Sequence, residues 1–83
     1  MSWRVRWTNR ALRVAARLDR ATRERINREV EAFAATGQGD VKRLKGTKQE
    51  LFRLRVGGWR IFFSKEEDRL LLIRAIRPRG DAY

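Results

Sequence analysis

Two adjacent glycines constrain the fold of this chain more than any other feature of its sequence. Gly57 and Gly58 separate FRLRV from WRIFF, two runs in which apolar residues recur at every second position. That period indicates strands with one buried face, and a two-residue glycine connection permits the positive φ angles of a type I′ or II′ hairpin turn. The sequence therefore predicts an antiparallel hairpin whose register is set by the turn.

This register decides which side chains share a face of the hairpin. With the glycines as the loop, Arg55 stands opposite Arg60. One face presents the apolar residues Phe52, Leu54, Val56, Trp59, Ile61 and Phe63, and the other presents Arg53, Arg55, Arg60 and Phe62. Like charges directly opposite each other destabilise a sheet by up to about 1 kcal/mol. The arginines therefore indicate either a solvated face whose repulsion is screened or a site that binds an anion.

A second turn follows, and the sequence constrains it less. A loop over residues 65–68 would pair Ser64 with Arg69 and place four further side chains on the arginine face, namely Leu71, Ile73, Ala75 and Arg77. A one-residue slip would move each of them to the other face. The run RLLLIRAI is typical of a strand covered on both faces for much of its length, and Pro78 limits it.

The N-terminal half predicts one strand and two helices. Residues 2–8, SWRVRWT, alternate as a strand does, and helical spacing begins at Asn9 and continues to about residue 17, with Thr8 or Asn9 as N-cap. Asp19 caps a second helix that ends at Gly37. Its apolar stripe comprises Ile26, Val30, Phe33 and Ala34. Residues 37–50, rich in glycine and charge, predict a surface loop.

These elements predict a single α+β domain over residues 1–83. An N-terminal strand, a two-helix hairpin and a three-stranded antiparallel meander would form one antiparallel sheet with both helices on one face. Trp3, Trp7 and Trp59 alternate with arginine on predicted strands, which places them in the core.

Charge narrows the possible partners and chemistries. The 21 Lys and Arg residues outnumber the 10 Asp and Glu residues, so the formal net charge is +11 and a nucleic acid or an acidic protein is the expected partner. The chain contains no cysteine and no histidine, which argues against thiol catalysis, zinc sites and imidazole bases. We expect no metal and no cofactor. Without a long apolar run or a signal-like N-terminus, we expect a cytoplasmic protein that does not enter a membrane.

Three motifs, taken in order, resemble those of a known superfamily. KRLKG, FRLRVGGWRIFF and IRPRGDAY are similar to the C-terminal half of RelE/ParE superfamily toxins of type II toxin–antitoxin systems, and ALRVAARLDRATRERI fits the helices of that fold. The likeness spans essentially the whole chain and implies a RelE-like fold. RelE-like members enter the ribosomal A site and cleave mRNA by attack of the 2′-hydroxyl on the adjacent phosphate. ParE-like members inhibit DNA gyrase and are not nucleases.

The resemblance to the RelE-like branch implies a catalytic set and a group of RNA contacts. The catalytic set comprises Arg53, Arg55, Arg60, Arg77 and Tyr83, with arginine at 53 and 55 where some relatives carry lysine. The expected contacts to the RNA backbone are Lys42, Arg43, Lys45, Lys48 and Arg79. The implied partners are a cognate antitoxin, the 70S ribosome and mRNA. A gyrase inhibitor and a non-catalytic RNA-binding protein are the alternatives.

The chemistry leaves the proton acceptor open. Arg60 and Arg77 would stabilise the phosphorane, because guanidinium groups stay charged and donate in pairs to phosphate oxygens. Arginine accepts protons poorly. Tyr83 is the only tyrosine, and neighbouring cations would lower a phenol pKa from its usual value of about 10. Tyr83 would therefore serve as the base, or it would stack or pack while ribosomal RNA organises the reaction.

Overall fold

The computed structural model describes residues 2–44 and 50–78. In chain order its elements are β1 (Arg4–Trp7), α1 (Asn9–Arg17), α2 (Arg20–Thr36), β2 (Val41–Arg43), β3 (Phe52–Val56), β4 (Trp59–Glu66) and β5 (Leu70–Pro78). The predicted strand, helix pair and C-terminal meander are confirmed, and so is the α+β class. Within the described ranges, neither helix is long and apolar enough to span a membrane.

The strands form one five-stranded sheet in the order β1-β5-β4-β3-β2, and two of its features correct the predicted arrangement. β1 runs parallel to β5, with Val5 opposite Leu71, so the sheet is mixed and not wholly antiparallel. β2 lies inside the predicted loop 37–50 and pairs with β3. Alternation identifies a strand but not its neighbour, and a three-residue strand is too short for a period to show.

The core lies between the two helices and one face of the sheet. The helices contribute Ala11, Ala15, Ile26, Val30 and Ala34, while the sheet contributes Leu54, Val56, Ile61, Phe63, Leu71, Ile73 and Ile76. Burying a large aliphatic or aromatic side chain contributes roughly 1.5–3 kcal/mol. The three tryptophans are half-buried and pack against this cluster, as predicted.

Both helices begin, and α2 also ends, at the residues that capping chemistry predicts. Thr8 is the N-cap of α1, where its hydroxyl accepts from the Ala11 amide at 3.1 Å. Asp19 caps α2 by accepting from the Thr22 hydroxyl at 2.6 Å and from the Thr22 amide at 3.1 Å. These hydrogen bonds stabilise the carboxylate and lower the pKa of Asp19. Gly37 closes α2 with a left-handed φ of 77°.

The hairpin of β3 and β4 has the predicted register at all five positions, from Val56 opposite Trp59 to Phe52 opposite Phe63. Gly57 has a positive φ of 58°, and Gly58 does not have one. A positive φ at the first central position alone is the signature of a type II′ turn.

The hairpin of β4 and β5 has a different register from the predicted one. β4 continues through Glu66, and residues 67–69 form the turn, so Ser64 stands opposite Leu72 instead of Arg69. Two side-chain contacts stabilise residues 64–66 as part of β4. The buried Ser64 hydroxyl donates to Glu66 at 2.6 Å, and the Lys65 ammonium lies 4.6 Å from the centre of the Phe52 ring.

A β-bulge then restores part of the predicted arrangement. Phe63 stands opposite Ile73 but Phe62 stands opposite Ala75, so Arg74 is the extra residue. The prediction that Leu71 and Ile73 lie on the arginine face is wrong, because both are buried in the core. Beyond the bulge the faces of β5 change by one position, and Ala75 and Arg77 lie on the arginine face as predicted.

Candidate nucleic-acid interface

The face of the sheet opposite the helices, here called the open face, carries most of the predicted site. No helix of the described chain packs on it. The register places Arg53, Arg55, Arg60, Phe62, Ala75 and Arg77 on this face, together with Lys42 of β2. Four of the five predicted catalytic residues and one predicted RNA contact therefore share a single surface.

Three arginines form a row across three neighbouring strands. Arg60 of β4 stands opposite Arg55 of β3 on one side and Arg77 of β5 on the other. Directly opposed residues of antiparallel strands have Cα atoms about 4.5–5.5 Å apart. The three arginine side chains therefore project from the sheet within a span of about 10 Å. We call these residues the arginine row. It concentrates three positive charges around Arg60.

A second row, displaced along the strands by two residues, adds two more cations. Lys42 stands opposite Arg53, which stands opposite Phe62, followed by Ala75. Diagonal neighbours on one face of a sheet lie about 7–8 Å apart, within reach of long side chains. The arginine row with Arg53 and Lys42 is the cationic patch. It spans four strands.

The patch carries no neutralising carboxylate in the described part of the chain. The ion pairs there are Arg20 with Glu24 and Arg43 with Glu50, and neither includes a residue of the patch. The Nε atoms of Arg53 and Arg60 are buried without a hydrogen-bond partner among the described residues. A buried donor left unpaired costs about 1–3 kcal/mol. An anionic ligand that accepts from these groups would offset that cost.

Two local backbone features assemble the arginine row. The type II′ turn at Gly57 places Arg55 opposite Arg60, and the bulge at Arg74 lets Arg77, instead of Ile76, stand opposite Arg60. Thr8 holds the bulge in place. Its amide donates to the Ile73 carbonyl at 2.9 Å, and its hydroxyl donates to the Arg74 carbonyl at 3.4 Å. The N-cap of α1 and the position of Arg77 are therefore connected.

The remaining predicted site residues do not join the patch within the described structure. Arg43 stands opposite Phe52 on the helix side of the sheet and pairs with Glu50 at 2.8 Å. Four others lie outside the described residues: Lys45, Lys48, Arg79 and Tyr83. Their assignment stays a prediction.

Sequence reasoning missed two cations of the open face. Arg4 and Arg6 of β1 stand beside Leu70 and Leu72 of β5 and extend the positive charge to the far edge of the sheet. The alternation of SWRVRWT separates these arginines from the tryptophans, but it does not show that β1 neighbours β5. The signal was present, and the missing information was the strand order.

The chemistry of the patch suits charge stabilisation. Guanidinium and ammonium groups bind phosphate oxygens and hold developing negative charge, but they are poor proton acceptors. The described residues also contain no group of three or more His, Cys, Asp or Glu side chains arranged to hold a metal ion. The patch is therefore suited to binding a phosphodiester backbone.

The match to a protein-family model shows which family this chain belongs to. The model of the ParE toxin of the type II toxin–antitoxin system parDE matches residues 5–83. The chain belongs to the ParE toxin family. This membership confirms the resemblance to the RelE/ParE superfamily seen in the three motifs. A comparison with curated protein sequences gives no match.

Solved structures of RelE proteins share the fold of this ParE-family toxin. A chain of the archaeal RelE–RelB complex from Pyrococcus horikoshii OT3 is 26% identical with a TM-score of 0.80, and the match covers 99% of this chain and 100% of that chain. The toxin–antitoxin complex RelBE2 from Mycobacterium tuberculosis gives 18% identity, a TM-score of 0.83 and coverage of 98% and 95%. The isolated E. coli RelE toxin is 14% identical with a TM-score of 0.66, and the match covers 98% of this chain and 88% of that chain. The last two show the fold alone.

Proposed function

We propose that this toxin is a ribosome-dependent mRNA endonuclease whose arginine row binds the scissile phosphate. The observation that carries the proposal is the alignment of Arg55, Arg60 and Arg77 on three neighbouring strands, without a carboxylate in the described patch. Like-charge repulsion within such an array destabilises the folded protein. Binding of a phosphodiester would relieve the repulsion.

The reaction that suits this array is transesterification within the message. The 2′-oxygen attacks the adjacent phosphorus, a new P–O2′ bond forms, and the P–O5′ bond breaks to leave a cyclic phosphate. The leaving 5′-oxygen takes up a proton from water and becomes a 5′-hydroxyl. The phosphorane carries additional negative charge, which Arg60 and Arg77 stabilise. Arg53 and Arg55 orient the flanking phosphates. Preorganised donors of this kind contribute about 10²–10³ each in rate.

The 2′-hydroxyl must also lose its proton, and Tyr83 is the proposed acceptor. The chain has no histidine, and this is its one tyrosine. Cations close to a phenol favour its ionised form, so a larger fraction is able to accept a proton at neutral pH. A Tyr83→Phe variant that cleaves normally would assign proton removal to ribosomal RNA instead.

The proposed partners follow from charge and from the relatives. A formal net charge of +11 favours ribosomal RNA of the 70S ribosome and mRNA in the cytoplasm, with Lys42, Lys45, Lys48 and Arg79 contacting the RNA backbone. Arg43 would contact RNA only from the helix side of the sheet, in competition with its ion pair to Glu50. Three of the matched solved structures are complexes: the archaeal RelE–RelB complex and the toxin–antitoxin complexes RelBE2 and E. coli RelBE. We infer a cognate antitoxin for this chain, whose acidic residues would neutralise the cationic patch.

Arg60→Gln tests the proposal most directly, since Arg60 is the centre of the row. Primer extension on a translated message in a reconstituted system would measure cleavage. We expect a rate about 10²–10³ lower, with a thermal unfolding midpoint that is not lowered, because the substitution removes like-charge repulsion from the row. Arg13→Gln on α1, an exposed arginine away from the patch, is the matched control and should cleave normally. Normal cleavage by Arg60→Gln would refute the proposal.

Inhibition of DNA gyrase is the second candidate, and the ParE family model favours it. The same preparation would be added to a supercoiling assay with purified gyrase. Gyrase inhibition with an intact message would select this function. Ribosome binding without cleavage would instead identify a non-catalytic RNA-binding protein.

A further inference from the structure

The tip of the first hairpin carries a cation that the arginine row does not include. A Cβ atom built on Gly57 would lie 2.7 Å from Nη1 of Arg25 and 3.2 Å from its Cζ. The guanidinium of Arg25, on α2, therefore lies directly against the turn. A Cβ built on Gly58 would meet nothing within 4 Å, so this side of the tip is open.

Arg25 reaches this position in preference to an available partner on its own helix. Glu29 follows it by four residues, a spacing at which opposite charges on a helix attract. The ion pairs of the described chain do not include Arg25. The charge of Arg25 therefore lies on the helix side of the hairpin tip. The side chains of Arg55 and Arg60 project from the same hairpin on the open face.

We propose that Arg25 and the glycine turn form a second phosphate site for the RNA backbone, continuous with the arginine row. The proposal rests on the proposed function in one respect, namely that the ligand is RNA. Two residues without side chains let a sugar–phosphate backbone approach the turn closely. The guanidinium beside Gly57 then donates to a phosphate adjacent to the one held by Arg55 and Arg60. RNA would thus be held on both sides of the hairpin tip.

The salt dependence of RNA binding tests the site without requiring cleavage. The probe is a single-stranded 2′-O-methyl RNA oligonucleotide, which this chemistry cannot cut, followed by fluorescence anisotropy over a series of salt concentrations. Each phosphate contact contributes about 0.7 to the slope of log K against log salt for single strands. Arg25→Gln should reduce the slope by about that amount.

Arg28→Gln is the matched control, since Arg28 is an exposed arginine of the same helix and the three atoms nearest a Cβ at Gly57 all belong to Arg25. It should leave the slope unchanged. An unchanged slope in Arg25→Gln, or an equal reduction in both variants, would overturn the proposal, because Arg25 would then contribute only net charge or packing.

A pair of glycine variants tests the geometry itself. Gly57→Ala places a methyl group on the Arg25 guanidinium and should reduce the slope as Arg25→Gln does, and the double variant should show no additional reduction. Gly58→Ala is the control, because space is open there and its φ is not positive. Because Gly57 has a positive φ, Gly57→Ala should also lower the unfolding midpoint through backbone strain, so only the slope reports on Arg25. An unchanged slope in Gly57→Ala would contradict the proposed site.

Failure of this site and failure of the proposed function are distinguishable. If Arg60→Gln cleaves normally, the nuclease proposal fails, while the slope in Arg25→Gln still reports the tip. If Arg60→Gln loses cleavage but Arg25→Gln keeps the full slope, the tip site alone fails.

Discussion

The two hairpins of the sheet share β4, but their turns differ. The turn between β3 and β4 has two glycines, and one of them occupies the left-handed region. The turn between β4 and β5 has three residues, and two of them, Asp68 and Arg69, have left-handed φ values of 59° and 56°. Side chains other than glycine disfavour that region. The first turn thus agrees with local preference, and the second works against it.

This difference shows what sets the register of each hairpin. In the first, the two-residue glycine turn gives the same register whether it is of type I′ or II′, and the strands follow it. In the second, burial sets the register, because Phe63 and Ile73 must both face the helices while Arg77 faces away. The bulge at Arg74 adds one residue to β5, so that Ile73 can face the helices and Arg77 the open face. Burial of these core residues outweighs the backbone strain in the turn.

The largest expected effect comes from removing the burial that sets the second register. Phe63 is fully buried, and its ring centre lies 5.4 Å from that of Phe33 and 5.5 Å from that of Phe52. Phe63→Ala should lower the free energy of unfolding by about 3–5 kcal/mol, measured by chemical denaturation. Arg60→Gln is the comparison variant and should not lose stability. A loss below about 1 kcal/mol in Phe63→Ala would contradict the role of burial.

A smaller effect of opposite sign is expected in the second turn. Arg69→Gly removes the penalty of a left-handed side chain, about 1–2 kcal/mol, but adds backbone freedom in the unfolded chain that costs about 0.5–1 kcal/mol. The net result should be a gain of up to about 1.5 kcal/mol, seen as a higher denaturant midpoint with an unchanged slope. Glu67→Gly, in the same turn but without a positive φ, should not gain stability. Equal gains in both variants would show that strain is not the cause.

The smallest expected effect lies in the first hairpin. Arg55→Thr removes a like charge opposite Arg60 and should raise the free energy of unfolding by a few tenths to about 1 kcal/mol at low salt. Added salt should reduce the gain, because exposed charges are screened. Arg6→Thr on the same open face, opposite Leu72, is the control and should change stability less. A gain that does not depend on salt would exclude like-charge repulsion as its source.

Much of the candidate site could be predicted because it depends on one local turn. The glycine pair placed Arg53, Arg55 and Arg60 on one face, and the structure has that register. The position of Arg77 was predicted correctly, but through an incorrect register that the bulge compensates. The alternation of apolar residues along a strand does not predict the single extra residue of a β-bulge. Arg25 was also missed, because helical spacing does not show which turn of another element its side chain reaches.

The amino-acid sequence by itself determined the helices with their caps, the first hairpin and the excess of positive charge, since each depends on residues close together in the chain. Only the tertiary structure decided that β1 lies parallel to β5, that β2 forms an edge strand, and that Arg77 completes the row. Those outcomes depend on which distant strands share one core. The competition for burial around Phe63 and Ile73 settles them, and local preference does not.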